Sequence, residues 1–189
     1  AKIDLLTVDG SGGGTGMSPW RMMNEWGVPT VYLESLLYDY LGRVDRKGAF
    51  VPHCAIAGGM ALEDQVFKAM ALGAPYVKAV CLGRASQAAA MVGNTIGRLI
   101  KEGKVPTELK KYGDSAEQIF VKVSELRDRY GKDFDRIPPA AIGMYTFYDR
   151  LAIGLQQLMA GARKFALRYV GREDLAALTE EAARVSGIP

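Results

Sequence analysis

Near its start the chain has the sequence Asp4-Leu-Leu-Thr-Val-Asp-Gly-Ser-Gly-Gly-Gly-Thr-Gly16, in which a short apolar run leads into a glycine-rich turn. An apolar run followed by a glycine turn occurs again in Cys54-Ala-Ile-Ala-Gly-Gly-Met60, and a third time where the apolar run 76–82 leads into Gly83-Arg84. A repeated strand, glycine turn and helix are typical of parallel βα units that bind ligands at their strand ends. Glycine lets backbone N–H groups approach an anion, and the following helix adds the positive end of its dipole. These turns therefore predict a phosphate site.

The composition of the 189 residues is that of an ordinary globular domain. Hydrophobic residues make up 49% and charged residues 24%, so the chain can form a substantial core. The net charge of +3 is mild and no dense cluster of lysine and arginine occurs, so we expect neither a nucleic-acid nor a membrane partner. We expect no signal peptide, and the sequence has no apolar run of about 18 residues. We therefore expect a cytoplasmic protein.

The cysteine content is limited to Cys54 and Cys81. Each falls inside a predicted strand, and their spacing matches no metal-binding or redox motif. We interpret both as small buried core residues in a reducing compartment. Neither a disulfide nor a metal site is predicted.

The first apolar run alternates in the way expected of a buried strand in a sheet. Leu6 and Val8 lie on one predicted face, and Thr7 and Asp9 lie on the other. In α/β folds, ligands bind at polar groups at the carboxyl ends of parallel strands. Asp9 is therefore the strongest candidate among the polar residues for a ligand contact. The predicted strands span 3–8, 50–57 and 76–82.

A helix is predicted after each strand, and after Gly103 the pattern becomes wholly helical. We therefore divide the chain into 1–103, which carries the phosphate-binding turns, and 104–189, a helical extension that packs on the first part. Five large apolar side chains around the first helix are interpreted as helix packing rather than as part of a cofactor site: Met17, Trp20, Met22, Met23 and Trp26. The predicted helices span 19–26, 29–42, 62–72 and 86–101, then one from residue 115, one over 140–169 and one over 173–185.

Three strands are too few for a complete barrel, which needs eight. We therefore expect that the chain is the carboxyl-terminal part of a larger barrel, or that a partner chain supplies the missing strands. The alternative is a small open sheet that is complete in itself.

Several segments of the chain resemble motifs of a known family. The segment from Val8 to Pro19 resembles the GGTG-containing segment in the FMN-binding domain of the glutamate synthase family. The stretch from Ile56 to Asp64 resembles the strand 7 phosphate loop of FMN-dependent barrels, and Cys81-Leu-Gly-Arg-Ala85 is similar to their strand 8 element. The tail 154–165 is similar to that of the shorter, stand-alone members of the family.

The resemblance implies a (β/α)8 TIM barrel that binds FMN, of which this chain holds strands 6–8 followed by an all-helical tail. It also implies reductive formation of glutamate from 2-oxoglutarate and ammonia through 2-iminoglutarate. It identifies no catalytic residue. The implied FMN-binding residues are Asp9, Gly10 and Ser11 near the ring, Gly58, Gly59 and Met60 at the phosphate, and Gly83 and Arg84 completing the phosphate site. The implied substrate loop consists of Gly13, Gly14, Thr15 and Gly16.

The chain departs from the family pattern after strand 8, where glutamate synthases usually carry the cysteines of an iron–sulfur cluster. Residues 85–103 contain no cysteine, so this chain ligates no such cluster there. We therefore expect the electron donor and the ammonia source on other chains, and the missing amino-terminal barrel half in cis or in trans.

We expect the chain alone to be inactive and, because its sheet edges would be exposed, to form homo-oligomers when isolated. Two other functions remain open. One is a non-catalytic half-barrel that binds a phosphate or nucleotide, and the other is an FMN barrel oxidoreductase with a different substrate.

Overall fold

The computed structural model describes residues 2–12 and 17–189 and is an α/β protein with many helices. Within this part of the chain, β1 (Leu5–Asp9), β2 (His53–Ala57) and β3 (Val77–Val80) form one sheet in the order β1-β2-β3. Both neighbouring pairs are parallel. The three predicted strands are thus confirmed, with ends that differ by a few residues. The helices up to β3 are α1 (Trp20–Asn24), α2 (Thr30–Arg46) and α3 (Glu63–Leu72).

The register of the sheet places alternate residues against the helices. Leu6 pairs with Cys54 and Val8 with Ile56, and all four side chains belong to one apolar cluster. Thr7 and Asp9, on the other face of β1, are exposed. The predicted alternation along β1 is therefore confirmed. The buried centre of this cluster consists of Leu41, Cys54, Ile56, Ala69 and Val77.

The two outer strands are less covered than the sequence predicts. Each of β1 and β3 pairs on one side only among the described residues. No residue of β1 is buried, and Leu5 keeps 61% of its surface exposed. The prediction of a buried first strand was therefore wrong, because β1 is an edge strand with helices on one face.

Two glycines near helix ends behave differently from the prediction. Gly42 does not end α2, which continues to Arg46. Gly42 is buried, and a Cβ on it would lie 3.6 Å from the Tyr76 hydroxyl, so it is a packing residue. Gly73, in contrast, does follow the last residue of α3.

The chain divides into two compact units, one formed by 1–82 with 154–189 and the other by 83–153. The domain boundary that the sequence predicts at residue 103 stays a prediction. In the first unit the carboxyl-terminal segment packs on α3 through a cluster of four buried residues. These are Phe67, Ala71, Met159 and Val170.

The carboxyl-terminal helices are shorter than predicted. The helix α8 spans Pro139–Gly161 and does not continue to residue 169, because Arg163 turns to a φ of 57°. Short 3-10 turns follow at Leu167–Tyr169 and Arg172–Asp174. The last helix, α9 (Glu180–Ser186), begins seven residues later than predicted, where Thr179 accepts a hydrogen bond from the Ala182 N–H.

The second unit is helical, as predicted, and contains the first part of α8. Its other helices are α4 (Arg84–Lys101), α5 (Thr107–Lys110), α6 (Ala116–Ile119) and α7 (Val123–Tyr130). The single helix predicted after Ser115 is broken at Phe120, which is extended and packs beside the core. That core consists of Val123, Leu126, Phe134 and Ile142.

Two further predictions about burial were wrong. Cys81 is exposed because β3 ends one residue before it, whereas Cys54 is buried as predicted. Met17 and Trp26 are 94% and 75% exposed, because α1 spans only Trp20–Asn24 and both residues lie outside it. No helix of the described residues is long and apolar enough to cross a membrane.

Candidate functional site

The first two glycine turns meet at the carboxyl ends of β1 and β2. The Gly10 N–H donates to the Ala57 carbonyl over 2.9 Å, which extends the ladder beyond both strands. A Cβ on Gly12 would lie 3.3 Å from the Gly59 Cα, so the two turns are in backbone contact. Gly12 has a φ of 91°, which glycine adopts without strain. The structure thus brings together residues that the sequence predicts to act at one site.

Thr30, the first residue of α2, holds these two turns together. Its Oγ1 donates to the Gly58 carbonyl over 2.8 Å and lies 3.3 Å from the Ser11 carbonyl. A Cβ on either Gly10 or Gly58 would overlap this Oγ1. The hydroxyl therefore fills the space that the absent side chains of both glycines leave.

The turn after β2 presents backbone donors with no internal acceptor. Among the described residues, the N–H groups of Gly58, Gly59 and Met60 make no hydrogen bond. Gly58 and Gly59 have φ values of 122° and 83°. Successive backbone N–H groups of this kind form a concave site for an anion. The geometry fits the phosphate-binding role expected for these three residues.

The next two N–H groups along the chain are already used. Gln65 in the first turn of α3 accepts from the Ala61 N–H over 2.8 Å and from the Leu62 N–H over 3.0 Å. This side chain caps the helix, so neither of these two N–H groups is available to an incoming anion.

The other predicted site residues have different placements. Asp9 ends β1 and is exposed, while the Ser11 N–H donates to the Val28 carbonyl over 2.6 Å. Gly83 and Arg84 begin α4 in the second unit and are exposed, and their part in the phosphate site stays a prediction. The predicted substrate residues Gly13, Gly14, Thr15 and Gly16 lie outside the described residues.

A cavity of about 700 Å³ opens beside the turn after β2. At one end it is lined by Thr30, Gly58, Gly59 and Met60. It extends along α2 and α3, and the carboxyl-terminal segment 175–188 contributes the opposite wall. Most of its lining side chains are apolar, so a ligand there would contact a largely apolar surface.

Glu34 lies in the wall of this cavity, one helical turn after Thr30. Glu34 is 2% exposed, and its Oε1 has no hydrogen-bond partner among the residues that the structure describes. Burial raises the pKa of the Glu34 carboxyl to about 8, while the positive charge of Arg172 acts in the opposite direction. The carboxyl is therefore mostly protonated at neutral pH.

Neither Thr30 nor Glu34 stands out in the sequence as a site residue. Thr30 lies at a predicted helix start, and nothing in a single sequence shows that its hydroxyl reaches two distant turns. A signal for Glu34 did exist, because it shares a helix face with Leu37 and Leu41 at positions i, i+3 and i+7.

No group of three or more histidine, cysteine, aspartate or glutamate side chains in 2–12 and 17–189 is arranged to hold a metal ion. What these residues offer is a set of backbone donors at the ends of parallel strands, next to a largely apolar cavity. In α/β proteins, the ends of parallel strands are where ligands such as anionic groups commonly bind.

A comparison with protein-family models matches residues 1–93 to the conserved region in glutamate synthase. The first half of the chain, which carries both meeting turns and the start of α4, therefore belongs to the glutamate synthase family. This confirms the family resemblance predicted from the GGTG segment and the two later motifs. Searches of curated proteins and of solved structures found no significant match.

Proposed function

We propose that this chain forms the phosphate-binding part of an FMN site in an oxidoreductase of glutamate synthase type. The observation that carries the proposal is the row of three N–H groups at Gly58, Gly59 and Met60, which make no hydrogen bond within 2–12 and 17–189 and lie in a segment of that family. A phosphate dianion requires several donors directed at one point, and the positive end of a helix beyond them adds to the attraction.

The substrates of the proposed reaction are 2-oxoglutarate and ammonia, which combine to 2-iminoglutarate. Bound FMN would supply the hydride that reduces 2-iminoglutarate to glutamate. Asp9 and Ser11, at the end of β1, would hydrogen-bond the substrate and the edge of the ring. Gly83 would add a further backbone donor, and the Arg84 guanidinium can pair with a phosphate through two parallel hydrogen bonds.

The strand order supports the proposal that the sheet is strands 6–8 of a barrel. In a (β/α)8 barrel each parallel strand lies beside the next one along the chain, as β1, β2 and β3 do. In doubly wound sheets that bind nucleotides, the order reverses at the binding site. We further propose that the remaining strands, the electron donor and the ammonia source come from outside these residues.

We also propose that the protein is located in the cytoplasm. Cys54 and Cys81 are both free thiols, and Cys81 is exposed. An exposed free thiol fits a reducing compartment, where amino-acid biosynthesis of this kind would occur.

The proposal is tested by following the backbone amide resonances of Gly58, Gly59 and Met60 in the purified chain by NMR. FMN and inorganic phosphate are each added in turn. We expect both to shift these three resonances, and FMN to bind more tightly because the cavity and strand ends contact the rest of the molecule. If neither compound shifts them, the phosphate site is wrong. Equal affinity for both would favour the non-catalytic phosphate-binding module.

Gly59→Ala is the diagnostic variant, because alanine is strained at a φ of 83° and would turn the free N–H groups away. We expect FMN affinity to fall at least about tenfold, the effect of losing one charge-assisted hydrogen bond. Gly48→Ala is the matched control, since Gly48 has a φ of 65° with no atom within 4 Å of its Cβ position. It should cost similar stability and leave FMN affinity unchanged.

A further inference from the structure

The peptide group that joins Gly58 to Gly59 is the least constrained part of the turn after β2. Both of its glycines have positive φ values, 122° and 83°. A peptide group between two glycines meets little steric resistance when it rotates, because neither neighbour has a Cβ. The backbone alone therefore does not fix the direction of the Gly59 N–H, and a contact from outside the turn has to hold it.

Thr30 supplies that contact. Its hydroxyl donates to the Gly58 carbonyl over 2.8 Å, and among residues 2–12 and 17–189 this is the one hydrogen bond that the Gly58–Gly59 peptide group makes. The C=O and N–H of a trans peptide lie in one plane and point in opposite directions. By holding the carbonyl oxygen, Thr30 therefore also directs the Gly59 N–H, which points away from the hydroxyl.

The hydroxyl of Thr30 has a second neighbour, the Ser11 carbonyl oxygen at 3.3 Å. A hydroxyl carries one hydrogen and so has only one donor to share between these two carbonyls. The contact with Gly58 is the shorter of the two, so we identify Gly58 as the principal acceptor. The hydroxyl thus acts mainly on the peptide group that carries an unpaired N–H.

The chain on both sides of Thr30 fixes its position. Before it, the Ser11 N–H donates to the Val28 carbonyl over 2.6 Å, and Ser11 pairs with Pro29 in an isolated parallel bridge. After it, the Leu33 N–H donates to the Pro29 carbonyl over 3.1 Å in the first turn of α2. The hydroxyl is therefore presented by a helix end that is itself bound to the turn after β1.

A hydrogen bond to the carbonyl also makes the N–H of the same peptide group a better donor. Hydrogen bonds in a chain polarise one another, so each strengthens the next. An anion that accepts from the Gly59 N–H would extend such a chain from the Thr30 hydroxyl through the peptide group. The direction and the strength of this donor both depend on one side chain of α2.

We propose that Thr30 is the positioning residue of this anion site. Its hydroxyl orients and polarises the Gly58–Gly59 peptide group, so that the Gly59 N–H donates to a bound phosphate. The inference rests on the phosphate site proposed above and adds a residue that acts on the phosphate through the peptide group.

The test is a titration of the full chain with inorganic phosphate, followed by NMR at the amides of Gly58, Gly59 and Met60. Thr30→Val removes the hydroxyl and should lower phosphate affinity about tenfold, the effect of losing one charge-assisted hydrogen bond. Thr30→Ser keeps the hydroxyl and should restore most of that affinity. Restoration by serine separates the effect of the hydroxyl from that of the methyl group.

Thr146→Val is the matched control, because the Thr146 Oγ1 also donates to a backbone carbonyl, that of Ile142, over 2.9 Å. It should cost similar stability and leave phosphate affinity unchanged. Thr30→Ala protects the test if the added methyl of valine displaces the turn, since alanine removes the hydroxyl without adding bulk. It should weaken phosphate binding as Thr30→Val does.

A second readout needs no ligand. In the free protein, the Gly59 amide proton resonance should move upfield in Thr30→Val and Thr30→Ala, because the peptide group loses its polarising donor. It should stay in place in Thr146→Val. An unmoved Gly59 resonance in both Thr30 variants would overturn the inference, whether or not phosphate binds.

The inference and the phosphate site fail in different ways. If phosphate shifts none of the three amide resonances in the unmodified chain, the phosphate site is wrong. If phosphate binds Thr30→Val and Thr30→Ala as tightly as the unmodified chain, the phosphate site stands and the role of Thr30 is overturned. A loss in Thr30→Ser as large as in Thr30→Val would overturn it as well.

Discussion

At the scale of single residues, Glu34 is buried because of its position on α2. It follows Thr30 by one turn and lies on the same face as Leu37 and Leu41, which pack against the sheet. An ionised carboxyl in that position would be strongly disfavoured, so the group takes up a proton instead. The consequence is a stability that depends on pH in the neutral range.

We predict that the free energy of unfolding falls as the pH rises from about 4.5 to about 8. The pKa of Glu34 is about 8 in the folded protein and 4.5 without the fold, so only the folded state holds the proton between these values. A shift of this size corresponds to at most about 5 kcal/mol, lost gradually over that range. Urea denaturation at a series of pH values measures it.

Glu34→Gln removes the titrating group with little change in shape, so its unfolding free energy should lose this dependence and exceed that of the unmodified protein at pH 8. Glu180→Gln, at an exposed residue, should keep the full slope. An unchanged slope in Glu34→Gln would show that other groups are responsible.

At the scale of elements, α4 and α8 approach each other closely through glycines within the second unit. A Cβ on Gly93 would lie 2.6 Å from the Pro139 carbonyl oxygen and 3.0 Å from the Gly143 Cα. Both are backbone atoms, which cannot rotate away. A Cβ on Gly97 would likewise overlap the Pro139 ring. Small residues on α4 are therefore required by packing.

We predict that Gly93→Ala destabilises the protein by about 1–2 kcal/mol. Alanine gains about 1 kcal/mol of helix propensity, but forcing the two helices apart costs up to about 3 kcal/mol. Thermal denaturation followed by circular dichroism would reveal the loss. Gly161→Ala, at the end of α8 with no atom within 4 Å of its Cβ position, is the control and should be neutral or slightly stabilising. A Gly93→Ala protein as stable as this control would refute the packing argument.

The sequence predicts elements well where local patterns and long-range packing agree. All three strands and the helix after β2 follow from apolar runs closed by glycine. The end of α8 was missed because Arg163, which adopts a φ of 57°, gives no local signal for a left-handed residue. The break at Phe120 was missed because it depends on packing beside Val123 and Leu126.

At the candidate site, the glycine turns could be predicted because a glycine in the sequence directly indicates the local backbone geometry. Gly10, Gly58 and Gly59 meet as expected from their positions at the ends of neighbouring parallel strands. Thr30 was not predictable, since its role depends on the distance between two turns 46 residues apart in sequence, which only the folded sheet determines.

At the scale of the whole molecule, the described sheet has two unpaired edges and an uncovered apolar surface. Unpaired strand edges offer free N–H and C=O groups to another chain. Leu5 on β1 and Trp26 in the following loop add exposed apolar area near one edge. These features support the expectation that the isolated chain self-associates.

We predict that the purified chain is larger than a 20.5 kDa monomer by light scattering at about 50 μM, a concentration at which exposed edges commonly associate. Leu5→Lys places a charge on the β1 edge and should shift the distribution towards monomer. Phe165→Lys removes an apolar side chain that is 84% exposed and lies outside the strands, and it should leave the distribution unchanged. Monomeric behaviour of the unmodified chain would contradict the prediction.

The order of the three strands limits what such association can build. Copies of the chain could extend one sheet by placing β3 of one beside β1 of the next, and each copy would add three strands. Eight is not a multiple of three, so no number of copies closes an eight-stranded ring. Closure of an eight-stranded ring needs a complement of five strands, and a linear row of copies without it keeps an open edge at each end. The assemblies should therefore cover a continuous range of sizes that grows with concentration, and addition of a five-stranded complement should collapse that range to one stoichiometry.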